Sequence, residues 1–278
     1  LFDHTSALLI SYYLINKAVN ISKDLQHYKR PFLRLSTAAQ ILRNLKYLFR
    51  PICAILSAGN HIFTGRGVSM SGLCAIISGG DFSPLDGIDS TDFVIACDRG
   101  FEHAQRGGIK PDLLLGDFDS YSGTLPEDTE ILRLPVEKDD TDTMSAIRHA
   151  LLLGYDRIRI YCALGGRLDH LYANIQSAAF AVRRGARVEI TGNDAHIYML
   201  SHGSISLPQS GGCSLSVFAV TDECRGVSIT GTKYELHSAV ITNSFPIGVS
   251  NEWAGSEAVV SVDDGILAVM LCRMPEKG

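Results

Sequence analysis

Five aspartates crowd two short turns of this chain. Asp117 and Asp119 stand in LGDFDS after an apolar run, and Asp139, Asp140 and Asp142 stand in EKDDTDT a little further on. Like charges packed this closely need a cation to stay ionised together. Hard carboxylate oxygens suit Mg²⁺, which takes one or two protein carboxylates and completes its shell with water and substrate phosphates. The chemistry indicated is that of an enzyme acting on a phosphate ester.

Strand alternation predicts that Asp117 and Asp119 face one side at the end of DLLLGD, with Phe118 turned towards packing. A polar turn, with Asp119 and Ser120 bonded to their own backbone, is the plainer reading. KDDTDT opens a helix, and Asp139 or Thr141 caps it while the carboxylates favour the positive end of its dipole. Capping accounts for one or two of these acids, and Lys138 beside them either pairs with the cluster or reaches a phosphate. In ALGGRLDH, Gly165 and Gly166 allow close backbone approach, the next helix offers unpaired N–H groups to an anion, and Arg167 adds a fork of donors. Asp169 caps that helix or ligates metal, and His170 shares a helical face with Asn174. Gly79 and Gly80 in SGGDF suit a turn facing a nucleotide, and Asp98, ending DFVIACD, is either a ribose or phosphate contact or a helix cap. The sequence lacks GxxxxGK[ST], HExxH, GxSxG and a complete GxGxxG.

The elements that must position these groups follow from periodicity. LCAIIS, DFVIACD, DLLLGD, EILRLP, RIRIYC and RVEIT are strand candidates, alternating with helical patterns in FEHAQRG, TDTMSAIRHALLLG and RLDHLYANIQSAAFAVRRG. Such alternation predicts an α/β fold, a mostly parallel, Rossmann-like sheet covered by helices, with ligands at the carboxyl ends of its strands. After Ala195 the helical period disappears. HIYMLS, GSISLP, CSLSVFAV, GVSITG, KYELH, AVITN, EAVVSV and ILAVML predict a separate C-terminal antiparallel β-sandwich, with the boundary between Asn193 and Gly203. The expected organisation is an extension over 1–69, an α/β catalytic domain over 70–198 and a sandwich domain over 199–278.

The 278 residues, 46% hydrophobic and 20% charged, are enough for a sizeable core. Residues 1–69 carry nine Lys and Arg against two acids, whereas the net charge of the whole chain is −5. A basic, loosely amphipathic stretch reads either as a surface- or partner-binding helix or as an extension without a role. We favour the extension, with Met70 placed as a start would be. No aromatic stacking pattern supports nucleic acid, and no apolar run or leader pattern indicates a membrane, so a cytoplasmic location is expected. The seven cysteines form no CxxC pair and read as buried thiols.

Taken together, GDFDS, KDDTDT, GGRLDH with Asn174, and TGTKYELH followed by NSFPIGVSNEW resemble the thiamine pyrophosphokinase family over residues 70–278. The resemblance implies an α/β domain followed by a β-sandwich, a homodimer with a shared active site, and Mg²⁺-dependent transfer of diphosphate from ATP to thiamine. It implies Asp117, Asp119 and Asp142 around metal and triphosphate. Lys138, Thr141 and Arg167 are implied near the phosphates, with Asp169 and Asn174 lining the cleft. Tyr234 is implied to stack on a thiamine ring, and Ser250 and Asn251 to hydrogen-bond the aminopyrimidine. A flat cation on an aromatic face is physically reasonable. Arg99 departs from the pattern, where a small residue is expected, and Trp253 is either packing or ligand. Two rivals are a pyrophosphokinase for another hydroxymethyl heterocycle such as a pterin, and a non-catalytic thiamine sensor.

Overall fold

The computed structural model describes residues 72–118, 121, 123–134 and 140–275. The fold below is that of the unit Ser69–Gly278. The expected extension over 1–69 therefore lies outside the described residues, as do Asp119 and Lys138.

The unit opens with β1 (Cys74–Ile77), β2 (Phe93–Cys97), α1 (Gly100–Arg106), β3 (Leu113–Gly116) and β4 (Glu130–Arg133). It continues with α2 (Asp142–Leu153), β5 (Arg157–Tyr161), α3 (Leu168–Val182), β6 (Arg187–Thr191) and β7 (Ala195–Leu200). Six further strands complete it: β8 (Gly203–Pro208), β9 (Cys213–Ala219), β10 (Glu223–Thr230), β11 (Leu236–Thr242), β12 (Glu257–Val262) and β13 (Leu267–Arg273). KYELH and AVITN, expected as two strands, merge instead, because Tyr234 stays outside and β11 runs on from Leu236.

Two sheets form. One has nine strands in the order β4-β3-β2-β1-β5-β6-β7-β13-β9, the other four in the order β11-β10-β12-β8. From β4 to β6 the long sheet is parallel, and from β6 through β7 and β13 to β9 it is antiparallel. Parallel strands covered on both faces need apolar residues throughout, and β1, β2 and β3 are buried at every position. By contrast β12 alternates between exposed or half-buried and buried residues, as a strand with one covered face must.

The expectation of a mostly parallel, Rossmann-like sheet followed by a separate sandwich is thus corrected to a mixed sheet plus an antiparallel one. The chain leaves β6 through a tight connection in which the Gly192 N–H donates to the Ala195 carbonyl at 2.9 Å. That turn returns β7 alongside β6, so the sheet continues where a domain break was expected. β9 and β13 then serve as one layer of the sandwich. Leu215, Val217 and Val269 from this layer share a core with Leu207, Val227, Ile229 and Val260 of the four-stranded sheet. Among the described residues no helix is long and apolar enough to cross a membrane.

Candidate active site

The parallel strands deliver their carboxyl ends to one edge, the usual place for a ligand in such a sheet. Asp98 follows β2, and its N–H donates to the Leu115 carbonyl at 2.9 Å, tying it to β3. Asp117 follows β3 directly. A Cβ on Gly116 would lie 3.1 Å from that of Asp98, so the two strand ends touch. The start of α2 is drawn to the same place, because Ser78 Oγ after β1 and Thr143 Oγ1 share a buried hydrogen bond of 2.8 Å. Cys97 Sγ donates to the Asp142 carbonyl at 3.7 Å. Asp98, Asp117 and Asp142, each half-buried, therefore stand at the ends of elements that meet along one edge.

Phe118 is buried, as expected, but by a different route. The strand ends at Gly116 and Phe118 has a φ of 55°, so strict alternation does not continue into the turn. Of the two helix-capping candidates, Thr141 is the cap: its hydroxyl accepts from the Met144 N–H at 3.2 Å. Asp142 occupies the first turn, where a carboxylate is favoured by the helix dipole. Asp140 is paired with Arg148 at 2.5 Å.

Two glycine turns frame the edge. After β1, the Gly80 N–H donates to the Cys162 carbonyl at 2.8 Å, and the Gly80 carbonyl accepts from His103 Nε2 at 2.8 Å. A Cβ on Gly80 would stand 2.6 Å from the Cys162 oxygen, which leaves room for glycine alone. Beside it Gly79 runs under Arg99, which is exposed and 4.0 Å from Glu102. After β5, the Gly166 N–H donates to Asp81 Oδ2 at 3.0 Å, so the close approach expected at this glycine turn is made by a carboxylate of this chain. Arg167 precedes α3, and its Nε and Nη2 donate to the two Asp169 oxygens at 3.1 and 2.6 Å. The hydrogen bond from Arg167 holds the Asp169 carboxyl below the usual carboxylate value. Arg167, Asp169, Leu168 and Tyr172 line an open surface hollow, and His170 is exposed next to it. Asn174 is buried, and its Nδ2 donates to the Ala163 carbonyl at 2.9 Å, steadying the loop that ends β5.

Tyr234, Ser250 and Asn251 form a second group, on the connections on either side of β11. Tyr234 is 63% exposed, with Lys233 Nζ 5.4 Å from the centre of its ring. Ser250 is also exposed, in the left-handed region with a φ of 56°, and its N–H donates to Ser216 Oγ on β9 at 3.0 Å. Asn251 is only 2% exposed. Trp253 proves to be packing: it lies against the sandwich core and donates from Nε1 to the Leu207 carbonyl at 3.2 Å.

Comparison with known proteins identifies the family. Residues 86–190 match the profile of "Thiamin pyrophosphokinase, catalytic domain" and residues 204–267 that of "Thiamin pyrophosphokinase, vitamin B1 binding domain". The chain belongs to the thiamin pyrophosphokinase family. It is an enzyme of that family. It is 29% identical over 184 residues to the thiamine pyrophosphokinase of Bacillus subtilis, covering 63% of this chain and 85% of that protein. The crystal structure of thiamine pyrophosphokinase from Bacillus subtilis matches with a TM-score of 0.64 at 27% identity, covering 72% of this chain and 99% of the other. Thiamin pyrophosphokinase from Geobacillus thermodenitrificans matches with a TM-score of 0.63 at 25% identity, covering 73% and 99%.

In this family member the carboxyl edge lies largely within the first matched region, and the Tyr234 group lies within the second. Sequence reasoning missed the residues that hold the edge in shape: Asp81, His103 and the Ser78–Thr143 pair. Their partners are distant along the chain, 85 residues in the case of Asp81 and Gly166, so no local motif reveals them.

Proposed function

We propose that the protein transfers the terminal diphosphate of ATP to the hydroxyl of thiamine, giving thiamine diphosphate and AMP, with Mg²⁺. The observation that supports this most is the carboxyl edge, where the strand and helix ends that carry Asp98, Asp117 and Asp142 converge beside glycine turns. In this reading residues 70–198 bind ATP and residues 199–278 bind thiamine. The name of the second matched profile, which refers to vitamin B1, favours thiamine over a pterin as acceptor.

The donor set suits magnesium. Asp117 and Asp142 are half-buried hard-oxygen ligands on adjoining elements, and Mg²⁺ needs only one or two such carboxylates. Among the described residues no three His, Cys, Asp or Glu side chains cluster, so the balance of the shell falls to Asp119, water and phosphate oxygens. When bound, the ion neutralises charge on the triphosphate.

Transfer of this kind asks the protein mainly for positioning and charge stabilisation. The turn at Gly79 and Gly80 lets the nucleotide approach the backbone. Arg167 and Lys138 supply cationic donors to the phosphates, Thr141 fixes the start of α2, and Asp98, Asp169 and Asn174 shape the cleft. The thiamine oxygen bonds to the β-phosphorus as the bond from that phosphorus to the AMP oxygen breaks. The alcohol proton passes to a carboxylate of the group, Asp142 or Asp119. Tyr234 supplies an aromatic face for a thiamine ring, and Ser250 a polar contact beside it.

We further read the enzyme as a cytoplasmic homodimer whose site is shared between copies. Exposed apolar residues flank both halves of the site, Leu168 and Tyr172 on α3, and Phe245 and Val249 near Ser250. The test is an assay with thiamine and Mg·ATP that follows AMP and thiamine diphosphate. Equal amounts of the two products are expected, and ADP in place of AMP, or no product, defeats the reading.

A further inference from the structure

Asn251 has no hydrogen-bonding capacity left for a ligand. Its Oδ1 accepts two backbone N–H groups, from Tyr234 and from Glu252, each at 3.0 Å. Its Nδ2 donates to the Tyr234 carbonyl at 2.6 Å and to Thr232 Oγ1 at 3.1 Å. An amide side chain offers two acceptor sites and two N–H donors, so all four are occupied by the protein. The network also fixes the orientation of the amide, because a flipped group would set N–H against N–H and oxygen against oxygen. Burial agrees, with Asn251 2% and Thr232 4% exposed while Tyr234 beside them is 63% exposed.

The surrounding backbone is anchored to match. Asn251 and Leu215 exchange both backbone hydrogen bonds, at 2.8 and 2.9 Å, which ties the segment to β9 in the sandwich. Lys233 N–H donates to the Glu252 carbonyl at 2.8 Å, and Thr232 Oγ1 donates to the Tyr234 carbonyl at 3.2 Å. Both backbone polar groups of Tyr234 therefore end on one buried amide, which is itself bound to the sheet.

We infer that Asn251 is a positioning residue. It sets the backbone of Tyr234 so that the exposed ring is presented at a fixed angle to the heterocycle of the substrate, and it makes no contact with that substrate. This inference rests on the proposed thiamine site. It departs from a direct hydrogen bond between Asn251 and the aminopyrimidine.

Thr232→Val tests it without altering an exposed atom, since valine has the shape of threonine and only the buried hydroxyl is lost. Asn251→Asp is the stronger variant, because it sets a carboxylate oxygen against the Tyr234 carbonyl. The KM for thiamine is measured for the wild type, Thr232→Val, Asn251→Asp, Tyr234→Leu and the doubles of Thr232→Val and of Asn251→Asp with Tyr234→Leu, alongside thermal melting. Expected are rises in KM of about tenfold for Asn251→Asp and less for Thr232→Val, with kcat for saturating thiamine little changed. Both effects should vanish once Tyr234 is leucine. Should Asn251→Asp fail to fold, Thr232→Val carries the same cycle. Effects that persist undiminished in the Tyr234→Leu background overturn the inference. So does a loss that disappears when the 4-amino group is removed from the pyrimidine of thiamine, because that signals direct contact. A wild type that turns over no thiamine overturns the functional reading itself, a result distinct from an additive cycle in an active enzyme.

Discussion

The carboxyl edge and the Tyr234 group hold their outward-facing side chains in place by opposite means. At the edge the backbone does the organising: strand ends, the Gly80 turn and the capped start of α2 converge, and Asp117 and Asp142 remain half-buried at the surface. Around Tyr234 a buried side-chain amide does it, and the exposed residue is carried on the short connection between β10 and β11. The difference teaches that residue type is a poor guide to role. What separates a ligand contact from a support is whether its hydrogen-bonding capacity is already committed within the protein.

The largest effect that would break this comparison is at Asp117. Asp117→Asn is expected to lower kcat by roughly a hundredfold or more, on the scale of removing one electrostatic stabiliser, with the melting temperature nearly unchanged. If it instead unfolds the protein while turnover per folded molecule is kept, the edge is a structural cluster. Next comes Gly80→Ala, which tests whether backbone shape governs the edge. Its methyl group would meet the Cys162 oxygen at 2.6 Å, so a loss of about 1–3 kcal/mol in denaturant unfolding is expected, with a raised KM for ATP and an unchanged KM for thiamine. Equal disturbance of both constants contradicts the independence of the two regions.

The smallest expected effect lies where the sheet changes from parallel to antiparallel. There Glu189 Oε2 on β6 accepts from Arg159 Nε on β5 at 2.9 Å and lies 3.5 Å from His196 Nε2 on β7. The His196 ring beside it first, and then the charge of Arg159, hold the Glu189 carboxyl below its ordinary value of 4.5. A carboxyl depressed in the folded state stabilises it above the unfolded value and loses that contribution as pH falls through the folded one. Unfolding measured at pH 7 and again below pH 4 should show the wild type losing up to about 1 kcal/mol more than Glu189→Gln. Parallel pH profiles for the two proteins would falsify this linkage.

Much of this was legible in the sequence because the signals are local. Buried parallel strands read as apolar runs, and Thr141 before a periodic segment reads as a cap. The placement of Asp98, Asp117 and Asp142 was legible in the same way, since these acids stand in short turns or helix starts next to those strands. Two things were not. The shared sheet depends on which edge β13 chooses, a pairing with β7 and β9 that no short window encodes. The role of Asn251 depends on partners at Thr232 and Tyr234, across a whole strand and its connections. In the sequence SNEW is an exposed-looking polar stretch, while in the fold its second residue is among the most buried polar groups of the unit.

The position of β13 also bears on how the protein is made. It is the most C-terminal strand of the unit, yet it lies between β7 and β9. A chain emerging from the ribosome can form β1 to β7 early, but β7 then keeps a bare hydrogen-bonding edge until Leu267–Arg273 appears. Unpaired edges of this kind invite association with other chains. Nascent chains stalled before that strand should therefore be the aggregation-prone species, and completion of the last few residues of the sheet is the step that closes it.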